Sequence, residues 1–248
     1  MASYRIIPLQ DGDGIDIETL EQRIENRSPV DQPDPQEDDG SLRSGPLPWT
    51  LDSFGRGIVA FDYGFEVKNT ITALDGTERT NIVTEMVPVV FLGNEYAAID
   101  AYCSSDVKQD LLDLLSNLLG SEINYETVSF GEETLRKVIK QAGTIEKANF
   151  DPEKDDFPDK ASGTHRAGLR GTRMWADYED TPIQKVKVSL PDREFRENVG
   201  FKQNGIVTIY GQDLDPSLCG EVLRHITDEV VSNLDVDSFQ RKLGGVDR

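Results

Sequence analysis

Residues 59–68 have the sequence Val-Ala-Phe-Asp-Tyr-Gly-Phe-Glu-Val-Lys, and this stretch decides the fold class. Large apolar side chains stand at every second position, with small or polar residues between them. This period of two is typical of a β-strand that buries one face. Asp75-Gly76 then provides a hairpin turn, because both residues tolerate a positive φ. The sequence therefore predicts an antiparallel meander that continues with strands over 80–91 and 96–102.

An apolar stripe with helical spacing follows the meander. Ser105 or Asp106 is the expected N-cap of this helix, and Gly120 is expected to end it. The stripe recurs every three to four residues, which is typical of a helix packed on a core. It consists of Val107, Leu111, Leu114, Leu115 and Leu118.

The same order of elements returns in the second half of the chain. Asn204-Gly205 is a strong hairpin signal, and a helix is expected to begin at Asp215-Pro216. The strands predicted before that helix cover residues 169–176, 183–190, 195–202 and 206–210. The sequence therefore predicts an α+β fold with two units, each an antiparallel sheet followed by a helix. This repeated order is compatible with a pseudo-repeat.

Two segments interrupt the pattern and divide the chain. Five of the twelve prolines fall within residues 27–48, which is typical of a linker or a long surface loop. A helix over 132–141 and a strand over 145–150 are placed at the end of the first unit. The predicted segments are an N-terminal strand and helix (1–26), a Pro/Asp-rich linker or loop (27–50), a first α+β unit (51–152), a charged loop (153–168), a second α+β unit (169–234) and a tail (235–248).

The charge of the chain predicts adaptation to salt. Asp and Glu number 46 against 26 Lys and Arg, so the formal net charge is −20. Such an excess repels itself in dilute buffer, whereas at 1 M salt the Debye length falls to about 3 Å and the repulsion is screened. We therefore expect a halophilic protein, with an ordinary acidic mesophilic protein as the alternative. The absence of a signal-peptide pattern and of a long apolar run predicts a cytoplasmic location.

One glycine-rich and basic stretch is the predicted binding site. No carboxylate lies between Lys160 and Arg173, although nearly one residue in five of the chain is acidic. Glycines there allow backbone N–H groups to converge on an anion, and basic side chains surround them. The alternative is an ordinary loop whose arginines pair with nearby carboxylates. The predicted anion- or nucleic-acid-binding residues are His165, Arg166, Arg170, Arg173 and Trp175.

A second pattern suggests metal-dependent chemistry. Glu66-Val67-Lys68 matches half of a nuclease motif, and Asp52 lies upstream as a second carboxylate. In such sites two carboxylates hold Mg²⁺ and the lysine orients the attacking water. With 19 Glu and 11 Lys in the chain, however, this triplet is expected by chance. The competing interpretation is that Glu66 and Lys68 form the polar face of a strand.

These patterns together predict a non-enzymatic binding module whose partner is a nucleic acid or a protein. The partner is expected to meet residues 136–202, where 14 basic and 12 acidic side chains nearly balance. One alternative is a metal-dependent phosphoesterase or nuclease that uses Asp52, Glu66 and Lys68. Another is a structural component of a larger assembly. No cofactor and no resident metal are predicted, since two histidines and two cysteines do not form a metal motif.

Overall fold

The computed structural model describes residues 1–9, 17–29, 42–120, 128–150, 161–164, 168–178, 180–190, 197–212 and 214–231. The chain divides into two compact units, which we call the discontinuous unit (Met1–Ile6 and Thr127–Arg248) and the continuous unit (Ile7–Glu126). This division differs from the predicted one, which placed residues 127–152 in the first unit. No helix in the described part of the chain is long and apolar enough to cross a membrane.

The continuous unit contains the predicted meander. After β1 (Ala2–Pro8), which begins in the discontinuous unit, its elements are α1 (Ile17–Glu25), β2 (Ser44–Phe54), β3 (Ile58–Thr72), β4 (Glu78–Leu92), β5 (Tyr96–Asp100) and α2 (Ser105–Leu119). Strands β2, β3, β4 and β5 are neighbours in that order and pair antiparallel. Val59, Phe61 and Tyr63 are buried as the period of two predicted.

The core of the continuous unit lies between one sheet face and its two helices. Ser104 caps α2 by accepting a hydrogen bond from the backbone N–H of Val107, one residue before the predicted cap. Gly120 ends the helix in a left-handed conformation, as predicted. The helical stripe packs in one cluster with the odd-numbered side chains of β3. The buried residues that α1 and α2 contribute to this cluster are Leu20, Ile24, Val107, Leu111, Leu112, Leu115 and Leu118.

The linker prediction is wrong for residues 44–50, because they form the first part of β2. Pro46 and Pro48, two of the prolines that suggested a loop, lie on this strand, and β3 is its only neighbour among the described strands. Proline is tolerated on such an edge strand, because a missing N–H that faces outward removes no ladder hydrogen bond. A register shift between Leu47 and Asp52 further interrupts the pairing. Residues 30–41 of the predicted linker lie outside the described residues.

The strands of the discontinuous unit pair antiparallel in the order β1-β10-β9-β8-β6-β7. Asp215 caps α5 by accepting from the N–H of Leu218, so the predicted start of that helix is confirmed. Helix 132–141 is also confirmed. The elements are α3 (Glu132–Gln141), β6 (Thr144–Phe150), β7 (Ala161–Thr164), α4 (Arg173–Tyr178), β8 (Ile183–Ser189), β9 (Asn198–Lys202), β10 (Ile206–Tyr210) and α5 (Pro216–Ile226).

The strand predicted over 169–176 is wrong, since α4 occupies most of its second half. The hydroxyl of Thr172 accepts from the N–H of Trp175, which is the bond expected of a helix N-cap. The α+β class is confirmed, whereas the internal duplication stays a prediction.

Candidate anion-binding surfaces

The predicted basic loop is only partly described, since His165 and Arg166 lie outside the described residues. The guanidinium of Arg170 donates to the backbone carbonyls of Ile139 and Lys140. These carbonyls belong to the last turn of α3, where orphan acceptors and the helix dipole favour a cation. Arg170 therefore stabilises a helix end, which is a structural use of its charge.

The other described members of the predicted site have different surroundings. The side chain of Arg173 is 96% exposed and makes a 3.9 Å ion pair with Asp177, one helical turn later. The indole of Trp175 packs against Phe150, with the ring centroids 5.9 Å apart and a tilt of 60°. Arg170 and Trp175 line one pocket, and Arg173 is not among its lining residues.

This pocket has a volume of about 540 Å³ and lies beside α3. Arg136 in its wall donates to Glu132 at 2.7 Å and to the carbonyl of Thr181 at 3.1 Å. Lys140 forms no ion pair within the described part of the chain. The pocket is lined by Arg136, Ile139, Lys140, Arg170, Gly171, Trp175 and Asp180. Two of its three cations are thus already engaged by the fold.

A denser group of positively charged side chains lies on the strands of the discontinuous unit. Lys147 of β6 stands directly opposite Lys187 of β8, and Lys185 of β8 stands opposite Lys202 of β9. Directly opposed residues of an antiparallel pair share one face of the sheet. Four of the eleven lysines of the chain therefore lie on one face of three adjacent strands. We call this set the lysine face.

The fold does not require this arrangement. Residues that alternate with the lysines, such as Val186 and Val188, are buried and supply the core contacts of β8. Any polar side chain satisfies these half-buried positions, whereas like charges directly opposite each other destabilise a sheet. Within the described residues, Lys147 and Lys185 have no ion-pair partner. The lysine face thus carries an electrostatic cost that packing does not explain.

Other groups on and beside the lysine face add to its chemistry. Glu146, at a register shift in β6, pairs with Lys187 at 2.8 Å. The Lys187 ammonium also lies 4.5 Å from the centre of the Tyr210 ring, which leaves an aromatic group at the border of the patch. Gly200 makes room for that ring, since a Cβ there would come within 3.0 Å of it.

One further polar atom belongs to this surface. The Oδ1 atom of Asn149 is the only buried side-chain nitrogen or oxygen in the described residues that lacks a hydrogen-bond partner. Asn149 stands directly opposite Lys185 and therefore shares its face of the sheet. A buried acceptor without a donor lowers the stability of the fold. The amide oxygen of Asn149 is therefore a second polar feature of this surface, besides the opposed lysines, that costs stability.

The three residues of the predicted nuclease site are not brought together. Asp52 pairs with Ala60, whereas Glu66 lies six residues further along β3, a separation of about 20 Å in a strand. Both carboxylate oxygens of Glu66 accept from Arg43, at 2.9 Å from its N–H and 2.7 Å from its guanidinium. No cluster of metal-ligating side chains occurs in the part of the chain that the structure describes.

Local contacts explain the charge states around this strand. The guanidinium of Arg43, by hydrogen bonding to Glu66, lowers the pKa of that carboxyl, and partial burial opposes the effect. Burial raises the pKa of Asp62, whose backbone N–H donates to the Thr50 hydroxyl. Arg43 thus keeps Glu66 ionised and binds both of its carboxylate oxygens. This arrangement does not fit a metal ligand.

No protein-family model matches the chain, and no curated protein matches it significantly.

The lysine face was not among the predicted sites, although the sequence carries part of its signal. Lys185-Val186-Lys187-Val188 alternates charge with apolar residues, as expected for a strand with one basic face. Lys147 and Lys202 join it through strand pairing, which a single sequence does not specify.

Proposed function

We propose that this protein is a non-enzymatic module that binds single-stranded nucleic acid on the lysine face of its discontinuous unit. The observation that carries the proposal is the pairing of Lys147 with Lys187 and of Lys185 with Lys202 across adjacent strands. In a chain of net charge −20, four lysines on one face are unfavourable to each other and favourable to a polyanion.

The spacing of the lysines fits a nucleic-acid strand. Adjacent strands lie about 4.8 Å apart, and residues two apart on one strand are separated by about 6.7 Å. The patch therefore measures about 10 by 7 Å. Phosphates follow each other about every 3.4 Å along one strand of a duplex, so the patch faces about two or three of them.

Charge alone does not hold nucleic acid at high salt. Three phosphate contacts to a single strand give a slope near −2.1 in log affinity against log salt, so a tenfold rise in salt costs about 130-fold. A contribution that salt does not screen is therefore needed. Tyr210, beside Lys187, supports base stacking, which is worth about 1–3 kcal/mol per base. This combination favours single strands, whose bases are accessible, over duplex DNA.

The pocket beside α3 is a weaker candidate for the same partner. Arg136 and Arg170 in its wall already donate to groups of the protein, so they offer less to a phosphate than the lysine face does. The salt-adapted environment is part of the proposal, and its support is the charge of −20.

Titration of fluorescent oligonucleotides tests the proposed function. The probes are single-stranded DNA, single-stranded RNA and duplex DNA, followed by anisotropy from about 0.3 to 2 M KCl. The double variant Lys185→Gln/Lys202→Gln removes two charges from the lysine face. We expect its affinity for single strands to fall at least tenfold and its salt slope to become shallower by about 1.4.

The matched control removes two lysines elsewhere. Lys108→Gln/Lys137→Gln changes the net charge by the same amount and lies on α2 and α3, so its binding is expected to equal that of the wild type. Equal losses in both double variants mean that only overall charge matters and overturn the proposal. No binding by the wild type, together with lysine-dependent capture of an acidic protein, assigns the surface to a protein partner instead.

A further inference from the structure

The outer half of the β3–β4 hairpin is a two-stranded ribbon with open edges. We call residues 66–72 and 78–85 the ribbon. In the described residues, β2 pairs with β3 only as far as Phe65, and β5 pairs with β4 only from Val89 onward. The ribbon strands therefore pair only with each other there. A lone pair of strands is marginally stable in water, and its open edges are templates for another strand.

The hydrogen bonds define which backbone groups face outward. The N–H of Ala73 donates to the carbonyl of Thr77 at 2.8 Å, so odd-numbered residues of the ribbon form the internal ladder. Even-numbered residues then point their N–H and C=O groups away from the partner strand. The N–H of Glu66, an even-numbered residue, points away from β4 in this way, since it donates at 2.9 Å to the backbone carbonyl of Arg43, outside the ribbon. On the β4 edge, the outward groups belong to Thr80, Ile82 and Thr84.

The ribbon also exposes apolar side chains. Ile71 is 53% exposed and Val83 is 39% exposed, and both lie on the odd-numbered face. Leu74 in the turn is fully exposed. Scattered apolar residues are ordinary on a surface, but here they coincide with an unpaired strand edge. The two features together indicate a surface that pairs with another strand.

We propose that the β4 edge of the ribbon pairs antiparallel with the same edge of a second copy of this chain, about a two-fold axis at Ile82. In this register Ile82 faces its equivalent and Thr80 faces Thr84 of the partner subunit. The outward N–H and C=O groups of these residues then form the ladder between subunits. The result is a four-stranded sheet, which exceeds the minimum of about three strands for independent stability.

Charge complementarity selects this register. Counting outward from the axis, Arg79 faces Glu85 of the partner subunit, and two-fold symmetry forms the pair twice. Moving the axis to Thr84 leaves both charges opposite valines, Val89 and Val83. Moving it to Thr80 places Arg79 opposite Asn81 and Glu85 beyond the start of the partner's β4, level with the acidic turn residue Asp75. The overall charge of −20 opposes association, but within the ribbon Arg79 and Lys68 offset part of the acid, and Glu66 is paired with Arg43.

Backbone substitutions on the two edges test the proposal. Thr84→Pro removes an outward N–H of the β4 edge, and symmetry removes it twice from the interface. Thr72→Pro removes an outward N–H from the opposite edge and is the matched control. Both leave the internal ladder intact because neither N–H takes part in it. We expect the wild type to be a dimer in molar KCl, with Thr84→Pro weakening dimerisation at least about tenfold and Thr72→Pro leaving it unchanged.

Charge reversal tests the register itself. Arg79→Glu and Glu85→Arg each place like charges opposite one another, whereas the double variant restores opposite pairs. We expect each single variant to dissociate more readily and the double variant to recover, as measured by light scattering at the lowest KCl that keeps the fold. Circular dichroism confirms folding of every variant. A wild type that stays monomeric at submillimolar concentration, or a double variant weaker than both singles, overturns the proposal.

Discussion

The strands of the two units bury similar apolar faces but carry opposite charges. In the discontinuous unit, strands β1 and β6 to β10 contain five basic residues and one acidic residue. In the continuous unit, β2 to β5 contain two basic and six acidic residues. Core packing makes the same demand on both sets of strands, so it does not account for the difference in charge. The difference lies at the exposed and half-buried positions, where the fold leaves the choice of charge free.

The largest expected effect is a difference between the two units in the salt concentration that each needs to stay folded. As KCl falls below about 1 M, we expect the continuous unit to lose its structure first, because its strands carry the excess of acid. The chain has two tryptophans, Trp49 in the continuous unit and Trp175 in the discontinuous unit. The variants Trp175→Phe and Trp49→Phe therefore report each unit by fluorescence. Cooperative folding of both units at about 0.1 M KCl contradicts the salt adaptation.

The next effect compares two glycines with the same backbone conformation. Gly205 in the discontinuous unit and Gly76 in the continuous unit have φ of 81° and 80°. A Cβ at Gly205 would lie 1.7 Å from the carbonyl oxygen of Val128, whereas one at Gly76 meets nothing within 4 Å. We expect Gly205→Ala to lower the free energy of unfolding by about 3–5 kcal/mol and Gly76→Ala by about 1 kcal/mol. Denaturant melts in molar KCl measure both, and equal losses refute the steric argument.

The smallest effect is the pH dependence of one ion pair in the continuous unit. Because Arg43 lowers the pKa of Glu66, this pair stabilises the fold above the ordinary pKa of a glutamate, about 4.3, and the stabilisation disappears as pH falls below it. We expect Arg43→Ala to cost about 1 kcal/mol at pH 7 and progressively less towards pH 3. Urea melts at several pH values measure this convergence. A difference that stays constant with pH means that Arg43 acts through packing alone.

Local patterns predicted most of the fold. The period of two in β3, the turn at Asp75-Gly76 and the helix over 132–141 all depend on neighbours in sequence, and the structure confirms them. The missed strand β2 depends instead on its position at a sheet edge, where proline is tolerated. The missed helix α4 depends on a Thr172 cap, which was not considered in the prediction.

The candidate site was harder to predict for a physical reason. Arg170 and Trp175 do line a common pocket, but a single sequence does not reveal that the Arg170 guanidinium binds the carbonyl end of α3. The lysine face depends on which strands are neighbours and in which register. Those pairings join distant parts of the chain, so composition and spacing did not predict them.

Strand β1 has a consequence for the synthesis of the protein. Residues 2–5 pair with residues 206–209 of β10, which a ribosome adds about 200 residues later. The continuous unit is complete after Glu126 and is free to fold while the rest is being made. Until then, the edge of β1 that pairs with β10 has no partner strand. Ile6 and Ile7 of β1 are fully buried in the folded protein. We expect them to be among the apolar residues that a chaperone binds before β10 has been made.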